Sequence, residues 1–306
     1  MSIRCISLQT FQELPISEAN ILCLGNFDGV HMGHRALLNA AKELQKSRFS
    51  HAACGVFCFE TLPADSLSLS PPMHLCTLTQ KMEYFRDAEM DFVILADFPS
   101  MKELSPETFV QQILLRDCHC VSAVCGFNYH YGKNGSGNTE TLRQTLPVPV
   151  TVVDKVTYMG KTVSSSTIRT LLSEGKVEQA ACLLERPYCF CAPVEHGKAL
   201  GRRLGAPTMN QRFPARMQIL HRGVYVTEAL IDGIRYRGVT NVGTHPTVDT
   251  DAALNCETYL LDFDREIYGV EVELSFLAFL RPEQKFESTE ALRAQIAKDI
   301  EAAKAF

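Results

Sequence analysis

The feature that most constrains the fold of this chain is a strand, a glycine-rich loop and a helix in direct succession near its amino terminus. Residues 21–24 (Ile-Leu-Cys-Leu) form a short apolar run typical of a buried strand, and Gly25 closes it. From Gly33 to Lys46 the apolar residues recur at helical spacing. This succession predicts the first unit of a parallel sheet covered by helices, because parallel strands need such crossovers.

The alternation of strands and helices continues through the first half of the chain. The predicted strands are 52–59, 91–96, 121–125 and 147–153, and the predicted helices are 81–88, 106–115 and 167–184, the last with Ser164, Ser165 and Ser166 as capping candidates. Ligands of open α/β sheets bind at the carboxyl ends of the strands. The loops 25–34 and 126–137 both lie at such ends, so we expect them to form the binding site.

The second half of the chain, from Tyr188 onward, has a different pattern. Short stretches broken by glycine predict antiparallel strands, and Asp232-Gly233 is typical of a hairpin turn. The predicted strands are 223–231, 235–239 and 270–279, and the predicted closing helix is 289–305, with Ser288 as its cap. This half favours a β-barrel or sandwich. Because 306 residues are many for one core, we predict two domains, 1–186 and 187–306.

Composition narrows the class of protein. With 46% hydrophobic and 21% charged residues, the chain has an ordinary globular composition. A net charge of −5 and the lack of a basic stripe argue against a nucleic-acid partner. No apolar run approaches the roughly 20 residues of a membrane span, and residues 1–14 lack the apolar core of a leader peptide. We therefore expect a cytoplasmic protein without a membrane partner, and the sequence leaves self-association open.

The twelve cysteines form no recognisable disulfide or zinc framework. Cys118 and Cys120, like Cys189 and Cys191, are separated by one residue, whereas the cysteine pairs of structural zinc sites are usually separated by about two to four. We therefore expect reduced thiols in strands and cores.

The loop after the first strand has the features of an anion site. His31 and His34 flank Gly33 where the strand gives way to the helix, and imidazoles there can donate hydrogen bonds to phosphate oxygens. The amides and the dipole at the start of a helix add positive charge. Gly25 and Gly29 would let the backbone pass close to a nucleotide. Taken alone, H-x-G-H also fits two surface histidines.

The ten residues Gly25-Asn-Phe-Asp-Gly-Val-His-Met-Gly-His34 resemble the G-x-F-D-G-V-H-x-G-H signature of the bacterial bifunctional enzymes that join riboflavin kinase to FMN adenylyltransferase. Two further segments follow in that family's order. Residues 126–132 with Gly137 resemble its G-x-(D/N)-F-x-F-G loop, and residues 163–169 resemble its S-S-T-x-(I/V)-R segment. The resemblance implies a Rossmann-like nucleotidylyltransferase domain that transfers the adenylyl group of ATP to FMN, with FAD and pyrophosphate as products.

The resemblance also implies roles for individual residues. His31, His34 and Arg169 would align and neutralise phosphates, because the attacking FMN phosphate is already an anion. The planar guanidinium of Arg169 suits the β- and γ-phosphates, although a helix arginine can also be solvated. Asn128 would bind flavin or nucleotide, with a buried loop amide as the alternative. The other residues implied at the ATP site are Gly25, Asn26, Phe27, Asp28, Gly33, Ser164 and Ser165.

One segment departs from the family pattern. Where the family often has F-D-P-H-P after the second strand, this chain has Phe59-Glu-Thr-Leu-Pro63, so Glu60 replaces the aspartate and Leu62 replaces the histidine. We expect a contact to the nucleotide or the flavin to be lost or moved there. Ser166, where the family has threonine, keeps the hydroxyl.

A second glycine-rich segment, residues 197–210, is basic and ends in Pro-Thr-x-Asn. Such a segment can hold polyphosphate and Mg²⁺, although it also fits a solvated turn. It resembles the riboflavin kinase signature G-x-x-x-G-R-x-L-G-(F/Y)-P-T-A-N, with Ala206 in place of the aromatic residue and Met209 in place of alanine. The resemblance implies Thr208 and Asn210 as ligands of Mg²⁺. It implies ATP binding by Gly201, Arg202, Gly205 and Pro207.

Segments 223–225, 238–247 and 257–263 resemble further kinase motifs in the expected order. By this resemblance Glu257 is the general base that takes the proton of the riboflavin 5′-hydroxyl. As an isolated residue it also fits a strand carboxylate facing solvent. Arg293, in the closing helix, is implied to contact the flavin phosphate.

Three functions are compatible with these motifs. The first is the bifunctional enzyme, which uses riboflavin, FMN and ATP with Mg²⁺ and makes FAD. The second is a riboflavin kinase whose adenylyl transfer is weakened or lost because of Glu60 and Leu62. The third is a flavin-binding sensor without turnover, which Ala206 and Met209 would suit. The residues implied to contact phosphate, to hold the metal or to act as the base are all present, and this favours the bifunctional enzyme. They are His31, His34, Arg169, Thr208, Asn210 and Glu257.

Overall fold

A computed structural model of the protein describes residues 3–7, 18–196, 208–244 and 254–306. Contacts between Cα atoms divide the chain into a first unit, residues 1–72 with 77–164, and a second unit, residues 73–76 with 165–306. The domain boundary between residues 186 and 187 remains a prediction.

The first unit contains a six-stranded sheet in which every described pair of neighbours is parallel, in the order β1-β4-β3-β2-β5-β8. Its strands are β1 (Arg4–Ser7), β2 (Asn20–Leu24), β3 (Ala53–Phe59), β4 (Phe92–Ala96), β5 (Cys120–Gly126) and β8 (Val150–Val153). Its helices are α1 (Met32–Ser47), α2 (Pro63–Leu67), α3 (Leu78–Asp87), α4 (Phe98–Met101), α5 (Pro106–Thr108), which continues as a π-helix (Phe109–Asp117), and α6 (Thr139–Thr145). Short strands form two hairpins, β6 (His130–Tyr131) with β7 (Gly137–Asn138), and β9 (Thr157–Tyr158) with β10 (Lys161–Thr162). The predicted α/β fold is confirmed.

The apolar runs of the strands are buried on both faces of this sheet. Leu22 and Leu24 pack on one face with the π-helix residue Phe109, and Ile21 and Cys23 pack on the other face with helix α1. Burial on both faces explains why these strands are continuous apolar runs instead of alternating ones.

The carboxyl end of β2 is the place where the strand order reverses. β2 lies between β3 and β5, so the chain proceeds to one side through β3 and β4 and to the other side through β5 and β8. Ligands of open α/β sheets bind at such a point. The loops 25–31 and 127–137 follow the two strands that border it.

The second unit contains a six-stranded antiparallel sheet in the order β11-β16-β13-β14-β15-β12. Its strands are β11 (Tyr188–Pro193), β12 (Thr208–Arg212), β13 (Gly223–Ile231), β14 (Ile234–Thr244), β15 (Leu254–Leu260) and β16 (Glu271–Pro282). The sheet curls so that its edge strands, β11 and β12, approach each other. Just after β11, the amide of Glu195 donates to the carbonyl of Asn210 on β12 at 2.7 Å. The predicted barrel is confirmed. Its interior holds Phe276, whose ring lies 5.5 Å from that of Tyr225 and 6.0 Å from that of Phe190.

Turn and cap chemistry agree with the sequence at two places. Asp232 and Gly233 both have positive φ, 52° and 78°, as a two-residue hairpin turn between β13 and β14 requires. The final helix, α9 (Thr289–Ala305), begins after Ser288, whose side chain accepts from the amide of Ala291 at 3.1 Å. Both predictions are confirmed.

The predicted helix 167–184 is wrong as a single element. It consists of α7 (Ser165–Ser173) and α8 (Val177–Leu184). Gly175 between them has φ 77°, and its amide donates to the carbonyl of Leu172. A left-handed glycine of this kind ends a helix even where the amphipathic spacing continues. The sequence also gave no signal for the edge strand β1 or for the π-helix inside the predicted segment 106–115.

Candidate functional site

The loop between β2 and α1 has an unusual backbone that is held from within. Phe27 and Val30, neither of them glycine, have φ values of 53° and 38°, and the amide of Val30 donates to the carbonyl of Phe27. Phe27 is fully buried, and its ring contacts His34 at 5.1 Å and Phe85 at 5.4 Å. Strained backbone of this kind clusters at ligand sites. Within the loop, Asn26 is exposed and Asp28 is buried.

His31 is the N-cap of helix α1. Its Nδ1 accepts from the backbone amide of His34 at 3.3 Å, and the residue is 6% exposed. Because Nδ1 accepts, the neutral ring carries its hydrogen on Nε2, which can donate to a ligand. The two imidazole rings stack at 3.7 Å with an interplanar angle of 14°. The predicted pair is therefore brought together at the start of a helix, where an anion is stabilised.

The glycines of this loop make room for its own aromatic rings. A Cβ at Gly25 would lie 3.2 Å from the Phe27 ring, and a Cβ at Gly33 would lie 3.1 Å from the His31 ring. The space beside Gly25 is thus filled by Phe27, whereas the sequence had suggested close approach of a nucleotide there. The carbonyl oxygen of Val163 is 3.9 Å from the same Cβ position at Gly33. The segment that leads to Ser164 therefore runs beside the start of α1.

The departure at residues 59–63 has a structural explanation. Leu62 is 7% exposed and stands at the N-cap of α2, where its amide donates to Oδ2 of Asp65 at 3.2 Å. Glu60 is exposed, and its amide donates to the carbonyl of Ala96 at 3.1 Å. The side chain that replaces the family's histidine is thus buried and has no polar atom to offer a ligand.

Ser165 and Arg169 belong to helix α7 of the second unit. Ser165 is its first residue, so the helix begins two residues before the predicted start at Thr167, and Arg169 follows one turn later. The guanidinium Nε of Arg169 donates to the carbonyl of Met73 at 2.6 Å. That nitrogen is already used by the protein, so the phosphate role of Arg169 remains a prediction from its motif.

The loop that follows β5 presents Asn128 on its surface. The side chain is exposed, so the alternative of a buried loop amide is wrong, and its backbone carbonyl accepts from Nδ1 of His130 at 3.0 Å. In the same loop the rings of Tyr129 and Tyr131 stack, with their centroids 5.8 Å apart. Burial is the main cause that raises the pKa of Tyr129, with smaller effects of Cys125 and Tyr131, so its hydroxyl stays protonated.

The second candidate site lies on the outer face of β12, β15 and β14. Asn210 is paired with Glu257, and Glu257 is paired with Asn241 on the next strand. Thr208 shares the face of Asn210 because side chains alternate along a strand. Glu257 is half-buried, and burial raises the pKa of the adjacent Cys256 thiol well above its usual range.

The amide of Asn210 is weakly held by the protein. Its Nδ2 donates to the carbonyl of Thr208 at 3.4 Å, and its Oδ1 accepts from Asn255 at 3.4 Å, both near the upper limit for a hydrogen bond. The residue is nevertheless only 7% exposed. A buried amide with long bonds can turn to a better partner when a ligand arrives.

Met209 is on the opposite face of β12, paired with the buried Thr258. Its neighbour Gln211 is fully buried and donates to the carbonyls of Ala192 and Val272, which ties β12 to β11 and β16. The methionine in place of the family's alanine therefore changes the barrel interior and leaves the ligand face unaltered.

The remaining predicted residues are placed only in part. Arg293 is exposed on α9. Four of the predicted ATP-binding residues lie outside the described part of the chain, namely Gly201, Arg202, Gly205 and Pro207, and so does Ala206. Within the described ranges no group of three or more His, Cys, Asp or Glu side chains could hold a metal ion, and no helix is long and apolar enough to span a bilayer.

The sequence motifs assign no functional role to Lys81. It is a buried cation on α3, and its Nζ donates at 3.2 Å to the carbonyl of Asn26 in residues 25–31, the first-site loop. A signal exists in retrospect. Lys81 precedes the buried Phe85 by one helical turn, so it shares the face of α3 that packs inward.

Comparisons with known proteins match both halves of the chain. A family model described as FAD synthetase matches residues 14–167, and one described as riboflavin kinase matches residues 184–306. The bifunctional riboflavin kinase/FMN adenylyltransferase of Listeria monocytogenes is 37% identical, covering 94% of this chain and 92% of the relative. The protein of the same name from Bacillus subtilis is 33% identical, covering 92% and 90%.

A solved structure confirms the arrangement within each unit. A protein from Streptococcus pneumoniae, titled a macrolide-efflux protein, is 26% identical, with a TM-score of 0.91 over 99% of this chain and 100% of that one. Its title differs from the names of the sequence relatives, which agree with one another and with both family models. The chain belongs to the bifunctional riboflavin kinase/FMN adenylyltransferase family.

Proposed function

We propose that the protein makes FAD in two steps, first phosphorylating riboflavin to FMN in its second unit and then adenylylating FMN with the site at residues 25–34. The observation that carries the proposal is the match of relatives named for both activities over nine-tenths of the chain. The face formed by Asn210 and Glu257 supports the first step, and the capped, stacked pair His31 and His34 supports the second.

In the first step the riboflavin 5′-hydroxyl oxygen forms a bond to the γ-phosphorus of ATP, and the bond from that phosphorus to the bridging oxygen breaks, releasing ADP. The Glu257 carboxylate takes the hydroxyl proton as the bond forms. Its place between Asn210 and Asn241 supports this role, because two neutral amides leave it the only charged group among these paired positions.

The donor set of this face fits Mg²⁺. The Thr208 hydroxyl, the weakly held Asn210 amide oxygen and the Glu257 carboxylate are hard oxygen ligands on neighbouring strands. Mg²⁺ usually takes one or two protein oxygens and completes its shell with phosphate oxygens and water. Thr208 and Asn210 would hold the ion, which when bound would neutralise the phosphates of ATP.

In the second step an oxygen of the FMN phosphate forms a bond to the α-phosphorus of ATP, and pyrophosphate leaves. The nucleophile is already an anion and needs no general base. The residues of this site therefore bind and orient phosphate: Nε2 of His31 donates, His34 lies against it, and the amides at the start of α1 add their dipoles.

A second function is favoured by one observation, the buried Leu62 in place of a family histidine. It is a riboflavin kinase that has lost adenylyl transfer. The two half-reactions distinguish the functions when they are assayed separately with Mg²⁺, riboflavin plus ATP for the kinase and FMN plus ATP for the transferase, with FAD and pyrophosphate measured in the latter. The bifunctional proposal requires product in both assays. Product in the kinase assay alone would establish the second function, and product in neither would leave a flavin-binding protein.

A further inference from the structure

Lys81 is a buried cation beneath the first-site loop. It lies on α3 and is only 5% exposed, although lysine is almost never fully buried unless it is paired. Phe85, one turn later on the same helix, packs edge-on against Phe27 of the loop at 5.4 Å. Helix α3 thus carries both an apolar and a charged contact to the loop.

The ammonium of Lys81 has a single partner in the described part of the chain. Its Nζ donates to the carbonyl oxygen of Asn26 at 3.2 Å, and no carboxylate of the described residues lies within ion-pair distance. Removing an ammonium from water costs far more than one carbonyl returns. An uncharged side chain at this position would therefore give a more stable fold, which indicates that the charge of Lys81 serves function and not stability.

The bond from Lys81 fixes the direction of one peptide group. The peptide between Asn26 and Phe27 is trans and planar, so its N–H points opposite to its C=O. With the carbonyl of Asn26 drawn toward the buried ammonium, the amide of Phe27 points away from it. No acceptor for this amide is found among the described residues. Phe27 also has positive φ, 53°, a conformation that needs support from its surroundings.

We propose that Lys81 is a positioning residue for adenylyl transfer: by holding the Asn26 carbonyl it keeps the backbone of the loop before α1 in the conformation that binds the phosphates of ATP, and its uncompensated charge is offset when the nucleotide binds. This inference rests on the proposed adenylyl transfer. A preorganised amide costs no reorganisation when charge develops on the phosphate, which is why such donors contribute strongly to catalysis.

The test is the Lys81→Met variant, which keeps the length of the side chain and removes the charge. We expect its FMN adenylylation kcat to fall about 100-fold, the usual effect of misplacing one preorganised donor, with riboflavin phosphorylation within twofold of the parent. Its melting temperature should stay the same or rise, because a buried unpaired charge has been removed. Lys81→Gln, which keeps a donor for the carbonyl, should recover about tenfold over Lys81→Met.

Lys42→Met is the matched control. Lys42 also donates its ammonium to a backbone carbonyl, that of Glu89 at 2.8 Å, but on an exposed part of the same unit. This variant should retain both activities.

Several outcomes would overturn the inference. One is adenylylation by Lys81→Met within twofold of the parent, and another is an equal loss of adenylylation in Lys42→Met. A third is a lower melting temperature with loss of both activities in Lys81→Met, since the ammonium would then support the fold alone. If the parent protein itself makes no FAD, the proposed adenylyl transfer fails; if the parent does and Lys81→Met matches it, only the role of Lys81 fails.

Discussion

Asn210 on β12 and Glu257 on β15 are direct partners across the ladder, on the outer face of the barrel. The pairing brings together an amide and a carboxylate that are 47 positions apart in the chain. Neither residue forms a recognisable site by itself. Their juxtaposition, with Asn241 on the next strand, is the structural basis of the proposed kinase site.

Replacing Glu257 by Gln should abolish riboflavin phosphorylation and leave FMN adenylylation intact. The amide cannot accept the proton of the 5′-hydroxyl, and loss of a general base typically costs about 100-fold to 10,000-fold in kcat. The two rates are measured by separating the flavins after separate incubations, one with riboflavin and ATP and one with FMN and ATP. Glu271→Gln is the control, because Glu271 is an exposed strand glutamate in the same unit. A parallel loss of both activities in Glu257→Gln would contradict separate sites.

His31 can be tested so that capping and catalysis are separated. His31→Asn keeps an N-cap acceptor but removes the Nε2 donor, so adenylylation should fall about 100-fold with little change in melting temperature. His31→Ala should lose activity similarly and also about 1 kcal/mol of stability, because the cap is gone. Riboflavin phosphorylation reports on the second unit in both variants. Parent-level FAD synthesis by His31→Asn would show that the histidine only caps the helix.

The closing helix α9 is fixed by a buried ion pair. Arg281 donates to Asp299 at 2.7 Å, the two side chains are 17% and 6% exposed, and Gln295 also donates to the same carboxylate. Asp299→Asn should lower the free energy of unfolding by about 3 kcal/mol, because Arg281 is left without its counter-charge. Urea unfolding measures this.

The double variant Arg281→Met with Asp299→Leu removes both charges and should recover most of that loss. If Asp299→Asn were as stable as the parent, the pair would contribute nothing to the attachment of α9.

Buried thiols predict how stability changes with pH. Burial raises the pKa of Cys54 and Cys125 from 9.0 to about 11. Between pH 9 and 11 the unfolded chain therefore loses protons that the folded chain keeps, so the free energy of unfolding should fall as the pH rises through this window. Denaturant midpoints at a series of pH values test this, and a midpoint that rises with pH in the window would contradict it.

The same thiols should resist alkylation in the folded protein at pH 8, whereas the exposed Cys182 and Cys191 react. Peptide mass mapping after a short exposure to iodoacetamide distinguishes them. Urea-unfolded protein is the control, since all twelve cysteines should then be modified.

The parallel sheet was predictable because burial on both faces leaves continuous apolar runs such as residues 21–24. The closing helix was predictable because Ser288 marks its start. The break between α7 and α8 was not, because Leu171, Leu172 and Ala180 keep the amphipathic spacing through it while the backbone turns at Gly175. Sequence pattern reports which side chains are buried and says little about where a left-handed residue ends the helix.

In the two candidate sites, too, some features could be predicted from the sequence and others could not. Residue pattern predicted an anion site at His31 and His34, and the family resemblance implied a role for Asn210; all three roles remain predictions. The direction of the His31 hydrogen bond, the inward side of Met209 and the carbonyl bond of Lys81 depend on three-dimensional placement. None of them leaves a local mark on the sequence, apart from the helical spacing of Lys81 and Phe85.

The proposed two-step synthesis of FAD is tested most directly by one incubation of the purified protein with riboflavin, excess ATP and Mg²⁺, followed by chromatography of the flavins over time. FMN should appear first and then be converted to FAD. FMN that accumulates without any FAD would contradict it, and the buried Leu62 would then be the first position to change.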